Sequence, residues 1–98
     1  MSKRQLSSGV TVLLPPAMRA LARGRRRVRV PGKTVGDVIG ALVARYPRLG
    51  PRLRGEGGAL RPFVLVFLNS QDIRALQGEK TAVHVGDELA FVQALEGG

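Results

Sequence analysis

The sequence predicts an α+β domain in which a small mixed sheet of four to five strands has one main helix packed on one face. Strand-like segments stand on both sides of a single long amphipathic helix pattern, in the order strand, strand, helix, strand, short strand, strand. The 98 residues, 44% of them hydrophobic, fit a single domain over 1–98, with a disordered leader over 1–8 and a flexible C-terminal tail over 96–98.

The first two strands are predicted from period-two patterns. In VTVLLPP, the side chains of Val10, Val12 and Leu14 share one face, and Pro15 and Pro16 end the strand because proline donates no ladder hydrogen bond. One or two helical turns are expected in AMRALARG. In RRRVRVPG arginine then alternates with valine, which predicts a half-exposed strand whose arginines face water.

The main helix is predicted over TVGDVIGALVARYP, where apolar residues recur at the i, i+3, i+4, i+7 spacing of one stripe. Thr34 is the expected N-cap, accepting a hydrogen bond from the amide of Asp37, and Pro47 ends the helix. Gly36 and Gly40 lower the helix propensity, so either packing holds this helix or Gly40 allows a close approach to the sheet. The apolar stripe consists of Val35, Val38, Ile39, Leu42, Val43 and Tyr46.

The second half of the chain alternates irregular and apolar segments. Residues 48–61, RLGPRLRGEGGALR, are expected to form a mobile surface loop because they hold four glycines and a proline. The apolar run PFVLVFLN predicts a central strand buried on both faces. Asn69 and Ser70 then form a turn before the short piece QDIRAL, and a Gly86-Asp87 turn precedes the last strand.

Composition limits the classes of function. With no cysteine, the chain forms no disulfide and no thiolate metal site, which suits the cytoplasm, and no segment has the length of a membrane span. Its net charge of +9 keeps a basic nucleic-acid-binding module open as an alternative, although the four aromatic residues occupy apolar strand or helix positions rather than alternating with basic residues on a stacking surface. The arginines gather in RALARGRRRVR and RYPRLGPRLR, two runs whose relative placement the sequence does not fix.

No group of residues predicts catalysis by this chain. His84 is the one histidine and has no partner at metal-ligand spacing. The carboxylates are scattered through loops and turns, and capping or turn roles explain Asp37, Asp72 and Asp87. RGEGGAL is better explained as a flexible loop than as a phosphate cradle. The final Gly97-Gly98 pair is by itself a weak signal, although two residues without Cβ could pass through a narrow channel and deliver a terminal carboxylate.

Several segments together resemble one known family. They are VTVLLPPAMRALARG, VPGKTVGDVIGALVARYPRL, VFLNSQDIRALQGEKTAVHVGDELAFV and the final GG. In this order they resemble the ubiquitin-like sulfur carriers, from about Val10 to Gly98. That family includes the small subunit of molybdopterin synthase and the carriers of thiamine and cysteine biosynthesis. The long connection before the third strand is more similar to the cysteine-synthesis carriers, and the resemblance implies a β-grasp, ubiquitin-like fold.

The resemblance implies a reusable protein cosubstrate rather than an enzyme. An E1-like adenylating and sulfurtransferase partner would use ATP and Mg²⁺ to convert the Gly98 carboxylate to an acyl-adenylate, and then to a thiocarboxylate; this chain itself would bind no cofactor and no metal. A cysteine synthase type enzyme or the large subunit of molybdopterin synthase would accept the sulfur, and a metalloprotease that trims the tail or releases the product is a further partner class. A ubiquitin-like protein modifier that uses the same carboxylate stays open as an alternative.

Partner docking is expected on the sheet face opposite the helix, because a single helix covers only one of its two apolar faces. The candidate contact residues are Phe67, Phe91, Val92 and Leu95. The sequence departs from the proline-containing tail usual in the family, and Glu96 places a negative charge beside Gly97 and Gly98.

Overall fold

Five strands form one mixed sheet in the order β2-β1-β5-β3-β4 in the computed structural model, which describes residues 9–94. The strands are β1 (Val10–Leu13), β2 (Arg27–Val30), β3 (Val64–Leu68), β4 (Gln71–Asp72) and β5 (Glu88–Gln93). The helices are α1 (Pro16–Arg19), α2 (Val35–Arg45) and α3 (Gly50–Leu53). The predicted order of elements, with one main helix, is confirmed. The leader over 1–8 and the tail over 96–98 lie outside the described residues.

The strand directions place the end of β5 beside the end of β1. β1 is antiparallel to β2 and parallel to β5, while β3 is antiparallel to both β5 and β4. We call the end of the sheet at which β1 and β5 finish the tail end. The last residue pair between these two strands is Leu13 with Ala90, so the final part of β5 projects beyond β1 and pairs with β3 alone.

The core lies between α2 and one face of the sheet. Val35, Val38, Ile39 and Leu42 of α2 are fully buried, which confirms the predicted stripe except that Val43 is only half-buried. The sheet contributes the alternate residues of each strand, as the period-two patterns predict. These buried sheet residues are Val10, Val12, Val28, Val30, Val64, Val66, Leu68, Leu89 and Phe91.

The ends of α2 follow the predicted capping. Thr34 Oγ1 accepts a hydrogen bond from the Asp37 amide at 3.1 Å, and Asp37 in turn accepts from the amide of Lys33 at 3.2 Å. The expectation for Gly40 is wrong: it is exposed, and a Cβ there would meet nothing within 4 Å. The close approach occurs instead at Gly36, where a Cβ would lie 3.2 Å from the carboxylate of Glu79.

The connection over 48–61 is not the mobile loop that the sequence predicts. It contains α3 and an antiparallel bridge between Arg54 and Leu60, and both Leu49 and Leu53 are fully buried. Two leucines four residues apart face the same side of a helical segment, so both enter the core. The Arg61 Nε donates to the carbonyl of Pro51 at 2.8 Å and ties the two halves of the connection together.

A salt bridge holds this connection against the turn that faces the start of α2. Arg54 donates two hydrogen bonds to the Glu79 carboxylate, at 2.9 and 2.7 Å, and a third to the carbonyl of Gly58 at 2.8 Å. The hydrogen bonds from Arg54 lower the pKa of Glu79 below its ordinary value, although partial burial opposes the shift. The bidentate geometry makes this pair stronger than a freely exposed one.

Replacing Glu79→Gln is therefore expected to lower the free energy of unfolding by about 1 kcal/mol at neutral pH, since the pair is partly exposed. The native pKa is depressed, so the stabilisation is complete above the unfolded-state pKa of about 4.3 and disappears as the pH falls through the lower native value. Urea unfolding of both proteins at pH 7 and at about pH 2 measures this change. Glu88→Gln, an exposed carboxylate in no salt bridge within 9–94, is the control. A Glu79→Gln deficit that persists at the lower pH would contradict the assignment.

Two predicted turns are confirmed. Asn69 and Ser70 both have positive φ, 48° and 74°, as the two-residue turn between β3 and β4 requires. Gly86, with φ of 94°, leads into Asp87, whose carboxylate accepts from the side-chain amide of Asn69 at 3.1 Å and from the backbone amide of His84 at 2.8 Å. These bonds, that from Asn69 above all, lower the pKa of Asp87 and fix the start of β5 beside the β3–β4 turn.

Candidate functional site

The candidate site is the end of β5, because this strand leads to the C-terminal glycines. β5 ends at Gln93, and the amide of Ala94 donates to the carbonyl of Phe63 at 2.8 Å, which extends the pairing with β3 by one residue. Leu95, Glu96 and the Gly97-Gly98 pair lie outside the described residues, so their assigned roles stay predictions. The fold thus fixes where the last four residues start, at the tail end of the sheet.

The sheet face opposite α2 carries an apolar patch, as predicted. Cross-strand partners share a face, and the pairs Leu65 with Val92 and Phe67 with Ala90 both point away from the helix. Leu13, the partner of Ala90 on β1, extends the patch. We call these five residues the open-face patch.

Of the three described residues predicted to dock on this face, two lie there. Val92 is 43% exposed and Phe67 is half-buried. The placement of Phe91 is wrong: it is 3% exposed, pairs with Val66 and packs in the core under α2. Successive strand residues point to opposite faces, so Phe91 and Val92 cannot both lie on the open face. The prediction that β3 is buried on both faces is wrong, because Leu65 and Phe67 on the open face are only half-buried. Alternation along β3 could have identified Leu65 as a residue of this face.

Three adjoining grooves lie at the tail end, and two of them are lined by the end of β5. The first, of about 640 Å³, lies between Pro15, Pro16 and the strand end at Val92–Ala94. Its lining is mostly apolar and also includes Ala17 and Phe91.

The other two grooves are smaller and more basic. The second, of about 500 Å³, lies between Ala17 and Arg52 and also contacts Arg48. The third, of about 190 Å³, lies between Arg52 and Gln93 and also contacts Arg61. Because each groove shares a lining residue with the next, we treat them as one surface and call it the tail-end surface.

One polar atom in this surface lacks a partner. The Oε1 of Gln93, a residue shared by the first and third grooves, is buried and accepts no hydrogen bond from residues 9–94. A buried acceptor without a donor costs about 1–3 kcal/mol. Packing of the described residues alone therefore does not explain this glutamine.

The structure resolves the relative placement of the two arginine-rich runs. The turn Ala20–Ala22 packs against the turn Pro47–Leu49, and the guanidinium of Arg45 donates to the carbonyl of Arg29 at 3.0 Å. The β1–β2 connection follows the end of β1, so the first run starts at the tail end, and its Arg27 and Arg29 continue along β2 toward the opposite end. The sequence could not show this, because it depends on the parallel pairing of β1 with β5.

Four of the six described carboxylates lie away from that end, whereas Glu56 lies within the connection over 48–61 and Glu79 is paired with Arg54 of that connection. Asp87 and Glu88 stand at the start of β5, Asp72 pairs with the end of β3, and Asp37 lies in the first turn of α2. None of the three grooves is lined by a carboxylate within the described ranges. The grooves therefore have a basic lining, which Arg48, Arg52 and Arg61 supply.

The described residues contain no cluster of potential metal ligands. Within 9–94, no three His, Cys, Asp or Glu side chains are grouped so that they could hold a metal ion. The exposed His84 has its Nδ1 3.8 Å from a carboxylate oxygen of Asp87, at the end of the sheet opposite the tail end. No helix in the described part of the chain is long and apolar enough to span a membrane.

Sequence relatives match nearly the whole chain. The ThiS family model matches residues 12–98. The sulfur carrier protein CysO of Mycobacterium tuberculosis is 35% identical over 91 residues, covering 91% of this chain and 98% of that protein. The small archaeal modifier protein 1 of Haloferax volcanii is 41% identical over 78 residues, covering 76% of this chain and 85% of the relative.

Solved structures agree with the fold. The crystal structure of M. tuberculosis CysO has a TM-score of 0.83 at 34% identity, covering 89% of this chain and 100% of that chain. A chain in the crystal structure of the Amycolatopsis orientalis BexX/CysO complex has a TM-score of 0.83 at 32% identity, covering 92% and 100%. The predicted β-grasp fold is confirmed, and the relatives are small carrier and modifier proteins rather than catalysts. The chain belongs to the ThiS family of ubiquitin-like sulfur carriers, as a carrier or modifier of the CysO type.

Proposed function

We propose that this protein carries sulfur as a thiocarboxylate on Gly98 and donates it in the biosynthesis of cysteine or a related sulfur metabolite. The observation that carries the proposal is the family match, which continues through the Gly97-Gly98 pair at residue 98. The CysO relatives and the long connection before β3 favour the cysteine branch.

The chemistry proceeds in two steps on an E1-like partner. A Gly98 carboxylate oxygen attacks the α-phosphorus of ATP, with Mg²⁺ held by the partner, and pyrophosphate leaves. Hydrosulfide then attacks the acyl carbon and displaces AMP. A C–S bond forms, and the bond between the acyl carbon and the oxygen that bridges to phosphorus breaks. Where the sulfur comes from a partner's persulfide, a second thiol reduces the acyl disulfide and becomes part of a new disulfide. The carrier needs no cysteine in either route, which agrees with its composition.

Intact-mass spectrometry tests this function directly. The protein is incubated with ATP, Mg²⁺, sulfide and the E1-like activating enzyme of its source organism. We expect a product heavier by the difference between a sulfur and an oxygen atom, formed only when ATP is present. The enzyme is first shown to be active by its release of pyrophosphate with another carrier protein. An unchanged mass of this protein with that active enzyme would overturn the proposal.

A second candidate function is protein modification through an isopeptide bond to the same carboxylate. It is favoured by the 41% identity to the small archaeal modifier protein 1. The two functions differ in their products, because modification gives covalent conjugates of higher mass that survive reduction, whereas sulfur donation returns the free carrier. Denaturing gels after incubation with the activating enzyme and a lysine-rich acceptor protein distinguish them.

The open-face patch is the proposed docking surface for the activating enzyme. Val92→Asp is expected to raise the Kd for that enzyme about tenfold, because it places a charge in a desolvated apolar contact. The matched control is Val85→Asp, since Val85 is 68% exposed but lies at the opposite end of the sheet, beside Gly9 and Lys33. Isothermal titration calorimetry measures both constants. Equal Kd values for the two variants would count against docking through this face.

A further inference from the structure

The tail-end surface adjoins the open-face patch, with which it shares Val92, but it differs from the patch in carrying arginines. Its floor is apolar, formed by Pro15, Pro16 and Ala17 on one side of β5 and by Pro51 on the other. Proline has no amide hydrogen, so the chain after β1 cannot extend the sheet along the last residues of β5. The floor is therefore left open beside the point where β5 ends.

Arginines stand around this floor in fixed positions. Arg48 and Arg52 are exposed and flank the buried Leu49 and Leu53, so the core anchors the backbone on which they are carried. The guanidinium of Arg61 is held at the carbonyl of Pro51. The salt bridges of residues 9–94 include none of these three arginines, whereas Arg54 in the same connection is paired with Glu79.

The length of the segment after Ala94 limits the distance between the tail-end surface and a partner that receives Gly98. Residues 95–98 follow Ala94, which itself lines the first groove, and an extended chain of that length spans at most about 14 Å. A protein that receives Gly98 in an enclosed active site must therefore lie against the tail-end surface. Burying arginines against a neutral or basic surface would cost free energy, so the partner's contact surface must supply negative charge.

We propose that the tail-end surface docks onto an acidic rim around the site of the activating enzyme that receives Gly98. The inference rests on the proposed function, since it takes the recipient of Gly98 to be that enzyme. The rim's carboxylates pair with Arg48, Arg52 and Arg61, while an apolar side chain of the rim fills the groove between Pro16 and Val92. Long-range attraction to the tail-end surface orients the carrier with its C-terminus toward the enzyme.

The test compares two charge-reversed proteins with the wild type. In the first, Arg48→Glu and Arg52→Glu change the tail-end surface; in the second, Lys33→Glu and Lys80→Glu make the same change in net charge at exposed positions outside it. Calorimetric titration with the activating enzyme, without ATP, gives the Kd of each. We expect the arginine pair to raise the Kd at least about tenfold at low salt and the lysine pair to change it less than about twofold.

Salt dependence supplies a second readout. The wild-type Kd is expected to rise between about 50 mM and about 500 mM NaCl, and the arginine variant to depend on salt much less, because its electrostatic contacts are already lost. Circular dichroism melting checks that both variants fold. Equal Kd increases in both variants would show a net-charge effect only and would overturn the proposal, as would an unchanged Kd in the arginine variant.

Failure of docking and failure of function are separable in this design, because binding is measured without chemistry. Pyrophosphate release is assayed in parallel. If the wild type binds through Arg48 and Arg52 but is never adenylated, the docking proposal stands and the proposed function is overturned. A titration with single-stranded poly(U) tests nucleic acid as the alternative partner of the tail-end surface. Tighter binding of the wild type to poly(U) than to the enzyme, abolished by the same arginine substitutions, would assign the surface to nucleic acid instead.

Discussion

Deletion of Gly97 and Gly98 is expected to abolish thiocarboxylate formation while leaving the free energy of unfolding unchanged. The described core runs from Val10 to Phe91, so removal of the last two residues takes no side chain from it. The deletion still leaves an α-carboxylate, now on Glu96, but that carboxylate is closer to the fold and adjoins a charged side chain. Intact-mass spectrometry after reaction with the activating enzyme, ATP and sulfide measures the loss.

A smaller change separates the effect of tail length from the effect of side-chain size at the last residue. Gly98→Ala keeps the length of the chain and the terminal carboxylate but adds one Cβ beside the reacting carbon. Misplacement of a reacting group by about 1 Å costs on the order of a hundredfold in rate, and we expect a loss of that size. Removal of Ser2 and Lys3, two residues from the other terminus, is the matched control and should not alter the rate. If the deletion and the alanine variant both react at the wild-type rate, the thiocarboxylate is not formed on Gly98.

Local signals identified the main elements because each depends on neighbours in the chain. The apolar stripe of α2, its Thr34 cap and the turn at Asn69 and Ser70 are all set within a few residues, and all are confirmed. The β-grasp assignment came from the order of these elements together with the family resemblance, and the solved relatives confirm it.

Most of the wrong predictions concern residues that are far apart in the sequence but close together in the structure. The close approach occurs at Gly36 rather than Gly40 because Glu79, which is remote in the chain, lies against the first turn of α2. The tail-end surface joins residues from α1, the connection after α2 and the end of β5. No local pattern contains this surface, since it exists only after β5 inserts between β1 and β3. Phe91 is different, because alternation along β5 already excluded it from the face that carries Val92.

The connection over 48–61 provides the second large expected effect. Its glycines led to the prediction of a mobile loop, in which any single leucine would contribute little to stability. The structure instead buries Leu53 completely, at the end of α3 and one residue before the Arg54–Glu79 pair. A deep apolar side chain in a domain this small carries a large share of a total stability of about 5–15 kcal/mol.

Leu53→Ala is therefore expected to lower the free energy of unfolding by about 2–5 kcal/mol, through lost burial and the cavity left behind. Leu60→Ala, the same substitution at a half-buried position in the same connection, should cost less than half as much. Urea unfolding of the three proteins at one temperature gives the comparison, provided that the m-values agree. A loss at Leu53 no larger than at Leu60 would show that the connection is as mobile as its glycines predict. A large loss confined to Leu53 would instead establish that the core fixes the segment carrying Arg48 and Arg52, as docking of a rigid basic surface requires.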